Sequence, residues 1–296
     1  MKLGVIGGSG VYDIDGLENP VWEHVETPWG DPSDAMLSGR LNGTDMVFLP
    51  RHGRGHYHAP GSINYRANID ALKRLGVTDI LSISACGSFR EALAPGTFVI
   101  VDQFIDRTFA REKSFFGEGL VAHLSMADPV CGRLGDLLDS AIAELGVPHR
   151  RGGTYLAMEG PQFSTRAESE LYRSWGCDVI GMTNMPEAKL AREAEICFAT
   201  IAMVTDYDCW HEHHEAVDVS AVLEVLTRNA AHGRALAARM AEKIAPRPAV
   251  CPHGCDRGLD TALITAPEKR DPALVAKLDA VAGRVLGNQP HQDRAR

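Results

Sequence analysis

The sequence predicts an α/β protein, with a single domain on a largely buried central sheet, flanked by helices and followed by a C-terminal helical extension. Short apolar runs alternate with segments of helical periodicity, which is typical of such a domain. Several apolar runs end directly in glycine, serine, aspartate or basic residues, as strands often do at a ligand-binding edge. The composition, 45% hydrophobic and 23% charged, is that of a globular protein with a sizeable core.

The elements follow from these patterns in chain order. Strands are expected in KLGVIGG, DMVFLPRHG, TDILSIS, GTFVIVDQFID, CDVIGM and CFATIAMVTD. Helices are expected in NYRANIDALKRLGV, in DLLDSAIAELGV and in the Ala-rich segment that begins near Ser220. The Pro- and Gly-rich stretch APRPAVCPHGCDRG separates a domain of residues 1–245 from an extension of residues 246–296. The extension is expected to pack on the same domain through a helix in PALVAKLDAVAGRVL and to end in a disordered tail.

Charge and hydropathy exclude several classes of protein. The net charge is -9 and no basic face is apparent, which argues against nucleic acid as a partner. No apolar run approaches the length of a membrane span, and the N-terminal residues lack a signal-peptide core. We therefore expect a cytoplasmic protein that acts on small molecules, with its seven cysteines reduced.

Two glycine- and arginine-containing loops suit an anion. GGSG fails the dinucleotide fingerprint because Asp13 stands where the third glycine is required, yet its N–H groups and the Ser9 hydroxyl could bind an anion. The alternative is a tight structural turn. Arg51 and His52 directly follow a strand, and the arginine fork matches phosphate oxygens, although a solvated loop is equally compatible.

Four further motifs allow a functional and a structural interpretation. In SACGS, Ser84 offers a hydroxyl, while Cys86 lacks an evident base and is expected to be an inert buried thiol. In EGPQFSTRAE, Thr165 or Ser164 is expected to cap a helix with Glu168, and Phe163 could stack on a flat ring or belong to the core. HEHHE lacks the order of a zinc-protease motif, and CPHGC lacks a second cysteine pair, so no metal site is predicted.

The segment TDYDC places Asp206 and Asp208 at the exit of an apolar strand. On an extended chain, residues two apart face the same side, so the two carboxyl groups should meet. They cannot both ionise cheaply when close and buried, so one pKa should rise. Alone, the segment could also be a metal site, a helix cap or a solvated strand end.

Taken in order, the motifs closely resemble those of the trimeric purine nucleoside phosphorylases, and within them the branch that acts on S-methyl-5′-thioadenosine. The resemblance covers roughly Leu3 to Lys243 and rests on GGSG, RHGRGH, NYRANIDALK, SACGSFRE, VDQFIDRT, EGPQFSTRAES, GMTNMPEAKLAREA and ATIAMVTDYDCW. It implies a mixed, twisted central sheet and a homotrimer or a dimer of trimers. It also implies a pentosyltransferase that uses inorganic phosphate as co-substrate and needs no metal or organic cofactor.

The resemblance assigns roles to individual residues. The phosphate would be held by Ser9, Arg51, His52, Ser84 and Thr183. The nucleoside would be contacted by Ala85, Phe163, Met182, His56, Val219 and Val222, and by His123 reaching a neighbouring subunit's pocket. Asp206 and Asp208 would act as a coupled pair on the purine, with Asp206 as the acid that faces N7.

The identity of the purine depends on two positions. Family members that take 6-oxopurines resemble one another in having Glu after the Phe of the Gly-Pro turn and Asn after the later strand. This chain has Ser164 and the aspartate pair there, which implies a 6-aminopurine, released as adenine together with 5-methylthioribose 1-phosphate in purine and methionine salvage. The alternatives are a 6-oxopurine nucleoside or methylthioinosine phosphorylase, a nucleotide-binding protein based on the Gly-Ser loop, and a metal-binding protein using the histidine-rich segment.

Overall fold

Eleven strands join into one mixed sheet in the part of the chain that the structure describes. This computed structural model describes residues 1–8, 10–11, 14–211 and 219–287, with only the backbone at 219–224, 226 and 228. The strands are Lys2–Gly7 (β1), Glu18–Glu23 (β2), Met36–Leu41 (β3), Thr44–Pro50 (β4), Asp79–Ser88 (β5), Phe98–Val101 (β6), Gln103–Arg107 (β7), His149–Arg151 (β8), Thr154–Met158 (β9), Val179–Gly181 (β10) and Cys197–Asp206 (β11). The α-helices are Tyr65–Arg74 (α1), Gly132–Glu144 (α2), Arg166–Ser174 (α3), Asn184–Glu193 (α4), Val219–Lys243 (α5), Pro272–Lys277 (α6) and Asp279–Leu286 (α7).

The sheet branches at β5. One path runs β2-β3-β4-β1-β5-β10-β9-β7, while β11 pairs with β5 and β6, and β6 pairs with β8. The central neighbours β4, β1, β5 and β11 are parallel, whereas β10 is antiparallel to β5. The four parallel strands therefore end at the same edge of the sheet, where the chemistry-bearing motifs of the sequence follow them.

Helices cover both faces of the sheet. Residues of α1, α4 and α7 pack in one buried cluster with Ile6, Leu49 and Val204, among others. Residues of α2 and α5 pack in a second cluster with Val5, Phe48 and other residues of the opposite face. Val5 and Ile6 face opposite clusters, so β1 is buried on both sides. Its sequence is therefore a continuous apolar run and not an alternation of apolar and polar residues.

Most predicted elements are found, with two corrections. GTFVIVDQFID is not one strand: it divides at Asp102 into β6 and β7, which lie on different branches of the sheet. The helix expected in the extension is two helices, α6 and α7, separated at Leu278. The capping box of Thr165 and Glu168 is confirmed at the start of α3.

The extension shares the core of the domain as far as residue 287. Leu259, Ala262 and Leu278 lie in the first buried cluster, and the cysteines of CPHGC lie in the second. Arg284 Nη2 lies 2.6 Å from Glu195 Oε1, which joins α7 to the turn before β11. Among the described residues, no helix combines the length and the apolar character that a membrane crossing requires. Residues 288–296, expected as a disordered tail, lie outside the description.

We expect Leu278→Ala to lower the free energy of unfolding by about 2–5 kcal/mol, since Leu278 is fully buried and the smaller side chain leaves a cavity. Guanidinium unfolding at a fixed protein concentration measures this loss. Ile264→Ala is the matched control because Ile264 is 62% exposed, and it should change stability by no more than about 0.5 kcal/mol. Equal effects of the two substitutions would contradict the packing of the extension described above.

Candidate active site

A cavity of about 290 Å³ opens at the carboxyl edge of the four parallel strands. This volume is near the lower end of those typical for small-molecule sites. Its described lining includes residues from the ends of β1, β4, β5, β10 and β11, together with residues from neighbouring loops and α5: Gly8, Val11, Arg51, His52, His56, Ser84, Ala85, Cys86, Gly87, Met158, Phe163, Met182, Thr183, Met203, Thr205, Asp206, Asp208 and Ala230. The structure thus brings together most of the residues singled out in the sequence.

Arg51 reaches the cavity from a fully enclosed ion pair. Its Nε donates to Glu187 Oε2 at 2.8 Å, and both side chains are no more than 2% exposed. Its Nη2 donates to Ser82 Oγ at 2.7 Å, and its Nη1 donates to the Ile83 carbonyl at 3.0 Å. Among the described residues Nη1 has no other acceptor, so one further N–H remains for an anion.

His52 is a neutral imidazole, and its hydrogen bond to a carbonyl oxygen identifies which ring nitrogen carries the hydrogen. Its Nδ1 lies 2.9 Å from the His58 carbonyl oxygen, which can only accept, so Nδ1 carries the hydrogen. Burial lowers the pKa of His52 to about 4, and the Arg51 charge acts in the same direction. The ring stacks on His56, with centroids 4.2 Å apart and planes inclined by 9°. Nε2 is therefore an acceptor at neutral pH, suited to a protonated oxygen of phosphate.

Ser84 and Thr183 provide hydroxyl groups to the cavity. Ser84 Oγ is buried and has no hydrogen-bond partner among the described residues. A buried hydroxyl without a partner is costly, which favours a polar ligand at this position. Thr183 precedes α4 but its side chain makes no capping hydrogen bond. The Ser84 hydroxyl is therefore available to a ligand, and Thr183 lines the same cavity.

Asp206 and Asp208 both line the cavity, but not in the way that the sequence predicts. Strand β11 ends at Asp206, and Asp208 has a φ of 54°, so the pair does not lie on extended chain. Instead, the Asp208 N–H donates to Asp206 Oδ1 at 2.8 Å in a tight turn. The expected i and i+2 alignment on a strand is wrong, because the turn rather than the pleat brings the two carboxyl groups into one cavity.

A β-bulge sets the position of Asp206. Val204 lies opposite Cys86 and Asp206 lies opposite Gly87, so Thr205 is an extra residue in β11. A Cβ atom at position 87 would lie 2.9 Å from Asp206 Oδ1 and 3.4 Å from the Asp208 Cβ. Glycine at position 87 is therefore needed for the carboxyl groups to approach β5 this closely.

Burial raises the pKa of both aspartates. For Asp206, hydrogen bonds from Thr205 and from the Asp208 backbone act in the opposite direction. For Asp208, burial is again the main cause and the Asp206 charge adds to it, while the nearby hydroxyls of Ser169 and Ser164 oppose it. Ser164, on which the predicted choice of purine partly depends, thus lies beside Asp208.

Two residues that the sequence does not reveal hold the site in place. Glu187 neutralises Arg51, as described above. Arg111 donates to the carbonyl oxygens of Met182 at 2.5 Å and Met185 at 2.7 Å, and its Nε donates to Glu159 Oε1 at 2.9 Å. Both form ion pairs with residues far away in the sequence, and nothing in their local sequence distinguishes them from exposed charged residues.

Arg111 joins the two loops that carry Phe163 and Met182. Met182 Sδ packs so closely on Gly160 that a Cβ there would lie 2.5 Å from the sulfur. Phe163 lines the cavity and is 45% exposed, so it is not a core residue. Asn184 is buried and donates to Thr200 Oγ1 at 2.9 Å, outside the cavity lining.

Several predicted site residues lie elsewhere or outside the description. His123 is exposed and does not line this cavity, so its role at a neighbouring subunit stays a prediction. Ser9 and residues 212–218, which include most of HEHHE, are outside the described residues, as are the side chains of Val219 and Val222. Cys86 lines the cavity, and burial raises the pKa of its thiol, in line with an inert cysteine.

Comparisons with known proteins identify the family of this chain. Residues 2–242 match the model of the phosphorylase superfamily. An S-methyl-5′-thioadenosine phosphorylase of Cereibacter sphaeroides is 69% identical, over 96% of this chain and 98% of that protein. One from Rhodospirillum rubrum is 67% identical, over 96% and 97%.

Solved structures give the same result. A methylthioadenosine phosphorylase from an antarctic soil metagenomic library superposes with a TM-score of 0.88 at 45% identity, covering 94% of this chain and 98% of that one. A methylthioadenosine phosphorylase of Schistosoma mansoni in complex with adenine has a TM-score of 0.80 at 39% identity, covering 84% and 93%. The chain therefore belongs to the phosphorylase superfamily.

Proposed function

We propose that this protein is a pentosyltransferase that cleaves S-methyl-5′-thioadenosine with inorganic phosphate, giving adenine and 5-methylthioribose 1-phosphate. The observation that carries the proposal is the aspartate pair, with Asp208 buried and Asp206 half-buried, in the same cavity as the unpartnered Ser84 hydroxyl and the Arg51 guanidinium. The names of the relatives support the same substrate.

In this mechanism the chain supplies positioning and a proton. A phosphate oxygen forms a bond to C1′, and the C1′–N9 bond breaks with its electron pair moving into the purine. The phosphate would be held by Arg51 Nη1 and the hydroxyls of Ser84 and Thr183, with Ser9 as a further predicted contact. His52 Nε2 would accept a hydrogen bond from a protonated phosphate oxygen. No metal or organic cofactor takes part.

Asp206 is the member of the pair best suited to carry the proton. Thr205 Oγ1 lies 2.7 Å from Asp206 Oδ2 and 3.1 Å from the Cys86 carbonyl oxygen, yet a hydroxyl has one hydrogen. The hydroxyl donates to Asp206 when the carboxyl group is ionised, and it can accept from Asp206 and donate to the Cys86 carbonyl when the carboxyl group is protonated, so this contact serves both states of the acid. The raised pKa of Asp206 supports the protonated state, and the acid can then pass its proton to N7 of the leaving base.

Asp208 would remain ionised and accept a hydrogen bond from the 6-amino group. The neighbouring Ser164 and Ser169 hydroxyls favour its charged form, although burial opposes it. The two carboxyl groups titrate as a coupled pair that shares one proton. In the proposed mechanism this proton resides mainly on Asp206. A 6-oxopurine offers no N6 donor, which favours the aminopurine over the hypoxanthine alternative.

The remaining contacts concern the sugar and the assembly. Ala85, Phe163 and Met182 are proposed to contact the nucleoside, and His56, Val219 and Val222 to surround its 5′ substituent. We propose a homotrimer in which His123 reaches a neighbour's pocket, and a cytoplasmic enzyme of purine and methionine salvage. The exposure of His123 supports the first of these.

We expect phosphate-dependent release of adenine, fastest from methylthioadenosine, when methylthioadenosine, adenosine, methylthioinosine and inosine are compared with and without phosphate. The aspartate pair accepts a hydrogen bond from N6 and donates one to N7. Hypoxanthine nucleosides have no N6 donor and do not match this pattern. Chromatography of the free bases measures the rates. Dominant release of hypoxanthine would contradict the assignment of the base, and no release from any nucleoside would contradict the proposed function.

We expect Asp206→Asn to lower kcat by at least ~10² with the fold intact, because the amide is similar in shape but cannot transfer the proton. Steady-state kinetics measure kcat, and circular dichroism checks the fold. Asp136→Asn is the control, since Asp136 is 77% exposed on α2. Turnover of the Asp206 variant close to that of the control would exclude Asp206 as the acid.

We expect kcat to fall as the pH rises through the upper pKa of the aspartate pair, because the acid is lost when its shared proton leaves. Both pKa values are raised, so this limb lies above the pH at which an exposed aspartate titrates. A pH–rate profile at saturating phosphate measures it. Asp206→Asn has no such proton, so an unchanged alkaline limb in that variant would assign the limb to another group.

A further inference from the structure

Four cysteines from three separate segments of the sequence meet at one point of the fold. Cys131 directly precedes α2, Cys197 begins β11, and Cys251 and Cys255 belong to the CPHGC motif of the extension. Their Sγ atoms all lie within 4.8 Å of one another, and the Cys131 and Cys251 sulfurs are 3.7 Å apart. Each cysteine is no more than 3% exposed. The sequence shows only the pair Cys251 and Cys255, because Cys131 and Cys197 are brought together by the tertiary fold.

The spacing of the sulfurs matches a tetrahedral metal site. Zinc binds thiolates at about 2.3 Å, so the sulfurs of a tetrahedron lie about 3.8 Å apart. A disulfide requires about 2.05 Å between its sulfurs, and it would join the four thiols only in pairs. Four sulfur ligands with no carboxylate or imidazole among them are the donor set that soft, tetrahedral ions prefer. We propose that Cys131, Cys197, Cys251 and Cys255 bind one Zn²⁺ ion as a structural tetrathiolate site.

The surroundings suit the net negative charge of such a site. Arg247 Nη2 donates to Cys197 Sγ at 3.6 Å. The guanidinium of Arg133 also lies beside Cys197, and its buried Nε has no hydrogen-bond partner among the described residues. Two carboxylates face the same region: Asp79 binds both arginines, and Asp256 accepts from the Cys251 N–H at 2.9 Å. The charges of the two arginines are balanced by the two carboxylates, so the arginines act on the thiolates as N–H donors, while the carboxylates hold the arginines and the CPHGC turn in place.

The site is separate from the phosphorolysis chemistry. Cys197 is the first residue of β11 and Asp206 is the last. A strand of this length spans about 30 Å, so the ion would lie at the opposite edge of the sheet from the cavity. Its role is to fasten the extension to α2 and β11. It takes no part in the proposed reaction, and its presence or absence is independent of the assignment of substrate.

Elemental analysis of the full-length protein, purified without a polyhistidine tag or added metal, tests the proposal. We expect about one zinc per chain, with the four cluster thiols protected from a thiol reagent until a chelator is added. Cys255→Ser should lower the zinc content at least ~5-fold, since the fourth ligand is lost. Cys177→Ala, a buried cysteine outside the cluster, should leave the zinc content unchanged.

Thermal unfolding of the wild-type protein gives a second measurement. This measurement does not depend on whether the Cys255→Ser variant folds. Removing the ion with a chelator should lower Tm by at least about 5 °C, and Zn²⁺ but not Mg²⁺ should restore it. Less than about 0.1 zinc per chain, a Cys131–Cys251 disulfide found by mass spectrometry, or full zinc content in Cys255→Ser would overturn the proposal.

Discussion

The buried ion pair between Arg51 and Glu187 is the interaction on which the site depends. It joins the end of β4 to α4, while further hydrogen bonds from the same guanidinium reach Ser82 and the Ile83 carbonyl in β5. Removing one partner of such a pair leaves an uncompensated buried charge, at a cost of about 3–5 kcal/mol. The pair therefore fixes the relative positions of three elements that together form one side of the cavity.

The ion pair with Glu187 reduces the electrostatic attraction between Arg51 and a bound anion. Its charge is already balanced by Glu187, so it contributes a fixed N–H donor more than an unshared positive charge. The neutral His52 and the hydroxyls of Ser84 and Thr183 have the same character. The cavity thus offers oriented dipoles instead of a strongly positive patch. Such a site can hold phosphate firmly in place while leaving its oxygens nucleophilic.

The sequence predicts the strand ends well and the long-range partners poorly. Arg51, Ser84 and Asp206 follow apolar runs, and parallel strands necessarily end at one edge, so their meeting is a direct consequence of the pattern. Glu187 and Arg111 lie in segments whose local pattern does not show what they contact, and their roles follow only from tertiary structure. The turn that orients Asp208 is not predicted, because a continuous apolar run does not show at which residue the strand stops.

The extra residue in β11 has a consequence for how this site tolerates change. In a regular strand, neighbouring side chains face opposite sides, and a shift of one residue exchanges the two faces. Because Thr205 is accommodated as a bulge, the direction of Asp206 depends on the number of residues between Val204 and the turn, and not only on their identity. A single deletion there would remove the bulge and change the path of β11 into the turn, although both aspartates would remain in the sequence.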